Sequence, residues 1–273
     1  MRKTFYKKEL VISNTQKRRG NKNKRSDVIK IQSWLCLQEQ LFPGIGTMTA
    51  IDGDFGPATE KCVKNFQKFI NINETGIVDQ DLFSALSHPL KSAFEDVTAQ
   101  ATIRETILKV AENHLKNQPK ELVIKGENNS GPWVKSYMDG HEGELWFWCM
   151  GFVQGIIDQA LSLHDMKFTK IMPLTYSCDV VGMKGLEHDS LIRNSKIEQQ
   201  PNLVKPGDIL LIRRSWHDWT HTAIIIDVED ETFTTIEGNT NRSGSRNGDG
   251  VYKRVRNFQK SNLDVFSLEK WID

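Results

Sequence analysis

Pro206-Gly207-Asp208-Ile209-Leu210-Leu211-Ile212 opens the part of this sequence that decides its fold class. A Pro-Gly-Asp turn ahead of an aliphatic run marks the entry to a strand. Four more β-rich runs follow, Thr222 to Val228, Thr232 to Ile236, Gly250 to Val255 and Val265 to Trp271. Upstream the apolar spacing is helical: Ile103 to Leu115 predicts an amphipathic helix, and Phe147 to Leu163 a more apolar one. Helices first and closely spaced strands later predict an α+β domain over residues 103–273, its helices packed on an antiparallel sheet. Lys167 to Asn202 carries no pattern that assigns an element.

Toward the amino terminus, His88 to Thr102 mixes Pro89, Ser92, Asp96 and Thr98 without strong periodicity, which predicts a linker over 88–102. Residues 27–87 predict a three-helix module. Its helical stretches carry Val28, Ile31 and Leu35, then Val63, Phe66, Phe69 and Ile70, then the shorter Asp79 to Leu86. Between the first two lies Ile51-Asp52-Gly53-Asp54-Phe55-Gly56-Pro57-Ala58-Thr59, whose Gly and Asp residues suit tight turns. Asp52 and Asp54 offer too few oxygens for calcium, and no bidentate Glu closes the loop. Residues 1–26 form a basic arm: positions 1–30 hold eleven Lys or Arg against Glu9 and Asp27. Such a run is expected to be solvated.

With 273 residues, 38% of them hydrophobic, the chain can fill two modest cores. A formal net charge of +1 argues against nucleic acid as a partner. No stretch approaches the roughly 18 unbroken apolar residues of a membrane span. Met1 to Lys8 is not followed by the apolar core and cleavage site of a secretory signal, so conventional secretion is not expected. Cys36, Cys62, Cys149 and Cys178 are scattered, with no CxxC pair or short-spaced His/Cys set, which predicts free thiols and no structural zinc. His217 and His221 are four apart but lie in a loop and a strand, not on a helix, so no metal or other cofactor is expected.

The first module resembles the peptidoglycan-binding domain carried by many wall hydrolases. The resemblance rests on Asp27-Val28-Ile29-Lys30-Ile31-Gln32 with Leu35, on Asp52 to Thr59, on Val63-Lys64-Asn65-Phe66-Gln67, and on Thr75-Gly76-Ile77-Val78-Asp79 with Leu82. It implies peptidoglycan as partner.

The second domain holds Asn128-Asn129-Ser130-Gly131-Pro132-Trp133-Val134 with Tyr137, then Trp146-Phe147-Trp148-Cys149-Met150-Gly151-Phe152-Val153. This resembles the front half of the papain-like CHAP domains, in which a Trp-Cys pair opens the catalytic helix. A cysteine there meets unpaired amides and the positive end of the helix dipole, both favouring the thiolate, and its own amide can face an oxyanion. An unpaired cysteine on an apolar helix is ordinarily a small buried hydrophobe, so partners decide the matter. Lys205 to Leu210 resembles the entry to the first CHAP strand, Thr220-His221-Thr222-Ala223-Ile224-Ile225 the strand opening with the catalytic histidine, and Ile236-Glu237-Gly238-Asn239-Thr240 the segment after it. The resemblance implies Cys149 as nucleophile, His221 as general base and acid, Glu237 as its orienting partner and Asn239 as a supporting polar group. Whether Glu237 or Asn239 touches the imidazole is open. Cys178 is expected to be a buried structural cysteine, and Cys36 and Cys62 to pack within the helical module. His141 to Leu145 lacks the glutamine that papain-like enzymes often use as second oxyanion donor.

Together the resemblances imply a cysteine-dependent peptidoglycan hydrolase, an amidase on the bond to the first stem-peptide residue or an endopeptidase within the stem or cross-bridge. Without a signal peptide it would reach the periplasm or wall by non-classical export, phage-type lysis or injection. An injected effector would imply an immunity protein as a further partner. Two other readings stay open: a non-catalytic wall-binding component of a phage or secretion assembly, and a cytosolic cysteine amidase acting on small peptide conjugates.

Overall fold

The structure, a computed structural model, describes residues 1–272. The chain forms two compact units, one of residues 4–92 and 120–145, the other of residues 1–3, 93–119 and 146–273. In chain order the elements are α1 (Tyr6–Glu9), α2 (Arg25–Leu41), α3 (Pro57–Phe69), α4 (Gln80–Leu86), α5 (His88–Glu95), α6 (Ile103–Lys116), β1 (Leu122–Ile124), β2 (Glu127–Ser130), α7 (Pro132–Tyr137) and α8 (Cys149–Ser162). There follow α9 (Cys178–Glu187), β3 (Leu191–Ile192), α10 (Asn194–Gln199), β4 (Ile209–Ser215), β5 (Asp218–Val228), β6 (Thr232–Thr240), β7 (Gly250–Asn257), β8 (Leu263–Phe266) and α11 (Glu269–Ile272). The fold is mixed α+β with antiparallel sheets and an amino-terminal helical module.

The helical unit buries Val28, Ile31, Trp34 and Leu35 of α2 with Phe55, Val63 and Phe66, and with Leu82, Phe83 and Leu86 of α4. Its turns are stitched by long polar side chains from the helices. Gln32 takes the Gly53 amide at 2.8 Å and donates to Asp52 at 2.8 Å and Thr59 at 3.1 Å. Gln67 does the same for the second turn, accepting from Gly76 at 2.9 Å and donating to Thr75 at 2.8 Å. Gly53 needs its freedom, since its φ is +77°. Asp52 is therefore a turn-former, as its sequence context implied, and its carboxyl is held below the ordinary value by the Asp54 amide and Gln32.

The basic amino-terminal stretch is more ordered than a solvated tail. Gln16 is buried and exchanges backbone hydrogen bonds with Val78, while Tyr6 of α1 is 4% exposed. Residues 120–145, read as part of the second domain, lie in the helical unit. Lys125 and Gly126, at φ of 54° and 85°, close the β1–β2 hairpin. Trp133 of α7 then stacks on Tyr137 at 6.2 Å and meets Trp34 edge-on at 6.1 Å, an aromatic anchor no local pattern reveals. The expected linker also differs: α5 fills its first half, with Leu90, Ala93, Phe94 and Val97 buried at helical spacing. Pro89 is tolerated there because it falls in the first turn, where its missing amide costs nothing.

The second unit is built on an antiparallel sheet of order β3-β8-β4-β5-β6-β7. Leu210, Ala223, Ile225, Phe233 and Val265 form its core cluster with Ile197, Val204, Phe258 and Leu263. α8 packs against β5 and β6. The expected last strand stops at Phe266 and gives way to α11, whose Trp271 stacks on the Phe266 ring at 5.4 Å. The unassigned stretch 167–202 folds into a 3₁₀ turn, α9, the edge strand β3, α10 and a second 3₁₀ turn.

Candidate active site

Cys149 is the first residue of α8, directly after the fully buried Trp148. At this position an amide has no intrahelical acceptor, and the thiol sits at the positive end of the dipole. Gly238 fixes the distance between this helix and β6. A Cβ on Gly238 would stand 2.6 Å from the Phe152 Cβ and 3.0 Å from the Trp148 ring, so only glycine permits the approach.

A second helix start reaches the same place. Gln154 of α8 donates to the Pro173 carbonyl at 2.8 Å and accepts from the Thr175 amide at 3.2 Å, ordering the chain that leads into α9. Ser177 caps α9, Asp179 accepts the Trp219 amide at 2.6 Å, and Gly182 lets α9 lie on the Trp219 ring, where a Cβ would come within 2.5 Å. Cys178 is thereby fixed as the first residue of α9 and is buried, electrostatically linked to Cys149.

The third wall of the site is the sheet. His221 on β5 is completely buried, and its Nε2 lies 2.9 Å from Glu237 Oε2 on β6. Glu237 is itself saturated: Arg256 of β7 donates from Nε at 2.7 Å and from Nη2 at 2.5 Å, and Thr235 donates at 2.7 Å. A forked guanidinium fixes a carboxylate in one plane as well as in charge. With Nε2–H committed to Glu237, the buried Nδ1 has no hydrogen-bond partner among the described residues, and Cys149 is the second group that raises the imidazole. Glu237, then, is the residue that holds the imidazole. Asn239 is buried nearby, but its φ of 56° breaks strand alternation at a bulge, and its amide donates to Asn247 at 3.3 Å and the Gly248 carbonyl at 3.2 Å.

The electrostatics follow from these contacts. The Cys178 hydrogen bond lowers the Cys149 thiol well below its ordinary range; burial opposes this, and His221 and the Met150 amide reinforce it. Burial disfavours a charged His221, yet its bonds to Cys149 and Glu237 outweigh burial and raise it to about 9. Burial disfavours an ionised Glu237 too, but Arg256 and His221 hold it at about 2. These directions favour the ionised form of Cys149 and the protonated form of His221.

Asp208, expected at a strand entry, anchors the sheet: it accepts from Arg104 at 3.0 Å and from the Leu268 and Lys205 amides at 2.9 Å. Arg256 and Thr235 were not anticipated. Arg256 reaches Glu237 through the β6–β7 register, which pairs Phe233 with Arg256 across a loop of no fixed length rule. Among the described residues no group of three or more His, Cys, Asp or Glu side chains is arranged to hold a metal ion, and no helix is long and apolar enough to cross a membrane.

Residues 24–86 match the family model described as "Putative peptidoglycan binding domain". The match spans α2 to α4, the same turns that Gln32 and Gln67 organise, and it supports peptidoglycan as a partner and association with the cell wall. No match to the CHAP family was found. No curated protein and no solved structure matches the chain.

Proposed function

We propose that this chain is a cysteine-dependent hydrolase that cleaves an amide bond of peptidoglycan. The observation that carries the reading is the buried His221–Glu237 pair beside Cys149 at the start of α8, with Nε2 of the imidazole tied to a carboxylate that Arg256 holds in place and Nδ1 without a hydrogen-bond partner among the described residues. The CHAP-like motif order and the peptidoglycan-binding match supply the substrate class. In this reaction the Cys149 thiolate adds to the amide carbonyl carbon. The carbon–oxygen π pair moves to oxygen, where the Cys149 amide donates to it. Collapse of the adduct breaks the C–N bond as His221 gives its Nδ1 proton to the leaving amine, and a thioester remains. Water, deprotonated by His221, then releases the carboxylate and restores the thiol. The helical module keeps the enzyme on a polymer and raises the local concentration of its substrate. The place of action is the periplasm or the wall.

Mass spectrometry of fragments released from purified sacculi tests the bond class. Each cut is expected to produce one new amine and one new carboxylate, on the lactyl group if the enzyme is an amidase and on a stem residue if it is an endopeptidase. New reducing sugar ends without new amines would refute amide hydrolysis.

A further inference from the structure

The helical unit holds a cavity of about 580 Å³ that the hydrolytic steps above do not use. Phe5 before α1, Ile29 of α2 and Ile124 of β1 give it apolar walls. Glu9, the last residue of α1, lines it at only 4% exposure. Neither a hydrogen bond nor an ion pair holds the Glu9 carboxylate among the described residues. The two lysines that act on it through space are committed elsewhere. Lys135 of α7 pairs with Glu142 at 2.9 Å, and Glu142 also accepts the Gly131 amide at 2.9 Å. Lys30 of α2 donates to the Lys8 carbonyl and, at 3.1 Å, to the Val11 carbonyl. Burial accordingly raises the Glu9 carboxyl from its ordinary range, with Lys135 and Lys30 opposing.

A buried carboxylate without a partner of its own is costly to a fold, and one that faces a cavity is satisfied by what enters it. The cavity lies within the range that small ligands fill. The chemistry narrows the occupant. An anion would be repelled by Glu9, a neutral sugar would leave its charge uncompensated, and one carboxylate offers too few oxygens to cage a metal ion. A primary ammonium on an aliphatic stem meets both the charge and the apolar walls. At the tip of the β1–β2 hairpin the exposed Lys125 also lines the cavity and offers a cation for a carboxylate. We propose that this cavity binds the side-chain ammonium of a diamino acid in a short peptide, with Glu9 as acceptor, Phe5, Ile29 and Ile124 along the methylenes, and Lys125 on the peptide carboxylate. That the peptide is an uncross-linked stem of the wall rests on the peptidoglycan reading. Of these lining residues only Ile29 falls within the family match at 24–86, so the site is this chain's own addition to the matched module.

The test is isothermal titration calorimetry of the full chain carrying Cys149→Ala, which removes the proposed nucleophile, with the soluble peptide L-alanyl-γ-D-glutamyl-L-lysine as probe. Binding is expected, and acetylation of the lysine amine should weaken it about tenfold, the size of one charge-assisted hydrogen bond. Glu9→Gln should cause the same loss, and Lys125→Ala, at an exposed position, a loss of about threefold. Because the fold does not pair this carboxylate, Glu9→Gln should melt no lower than its parent. Equal affinity for the amine and its acetyl derivative would overturn the proposal, a result that needs no variant of the cavity to fold. So would equal affinity in the parent and in Glu9→Gln, no binding at millimolar peptide, or a Glu9→Gln protein that melts well below its parent. Sedimentation with sacculi is read separately, so a chain that pellets with the wall while failing these tests would refute this cavity and leave the wall reading standing.

Discussion

In the proposed hydrolysis His221 is the residue on which the chemistry turns, because it would be charged when the leaving amine departs and neutral when water attacks. Its charge is favoured by two neighbours, Cys149 and the Glu237 carboxylate on Nε2, against the cost of complete burial. The sign of the pH dependence follows. Imidazolium, held up to about 9, is present below that value and is lost as pH rises through it, so the rate of wall cleavage is expected to fall on the alkaline side near 9. Removing the carboxylate removes one stabilising anion. Glu237→Gln should move that alkaline limb down by about two units, toward the ordinary histidine value. It also leaves Arg256 without its carboxylate, costing about 3 kcal/mol of stability. A pH–rate profile unchanged in the Glu237→Gln protein would show that Glu237 does not govern the imidazole. At this scale much of the site was legible. Cys149, His221 and Glu237 stand out because a helix start and two neighbouring strands are local patterns. Arg256 did not, since it reaches the site only through long-range packing, the register of the β6–β7 hairpin.

At the scale of elements, the site exists where α8, α9 and the β5–β6 pair come closer than side chains ordinarily allow. Two glycines set those distances, Gly238 under α8 and Gly182 under the Trp219 ring. A methyl on Gly238 meets the Phe152 Cβ, which no rotamer change can move, so β6 and α8 must separate. Gly238→Ala is expected to cost about 1–3 kcal/mol in denaturant melts. Because the shift changes the distance from thiol to imidazole, it should also reduce turnover by about a hundredfold in protein that remains folded. Full activity in a stable Gly238→Ala protein would show that the close approach is incidental. Element types were read well from periodicity, and the errors have physical causes. The pattern of α5 was hidden by Pro89, harmless in a first turn, and the run ending at Trp271 carries strand-like residues that serve a short helix. Stretch 167–202 could not be assigned because its pieces are short and take their order from Gln154, Asp179 and Asp264 rather than from their own sequence; Asp264 alone accepts from Arg193 at 2.8 Å and from the Asn194 amide at 3.1 Å.

For the whole molecule, a module matched to a wall-binding family and a buried cysteine–histidine–glutamate site occur in one chain whose formal charge is only +1. On the proposed reading, attachment to the wall would depend on the shape and polar groups of the module more than on bulk charge, and attachment and cleavage would be separable. The direct measurement is the solubilisation of purified sacculi by the intact protein and by Cys149→Ala, with the bound fraction followed by pelleting. The account predicts that both proteins sediment with the wall and that only the intact one releases soluble fragments. Equal release by the two proteins, or release by neither from sacculi of any wall type, would contradict it.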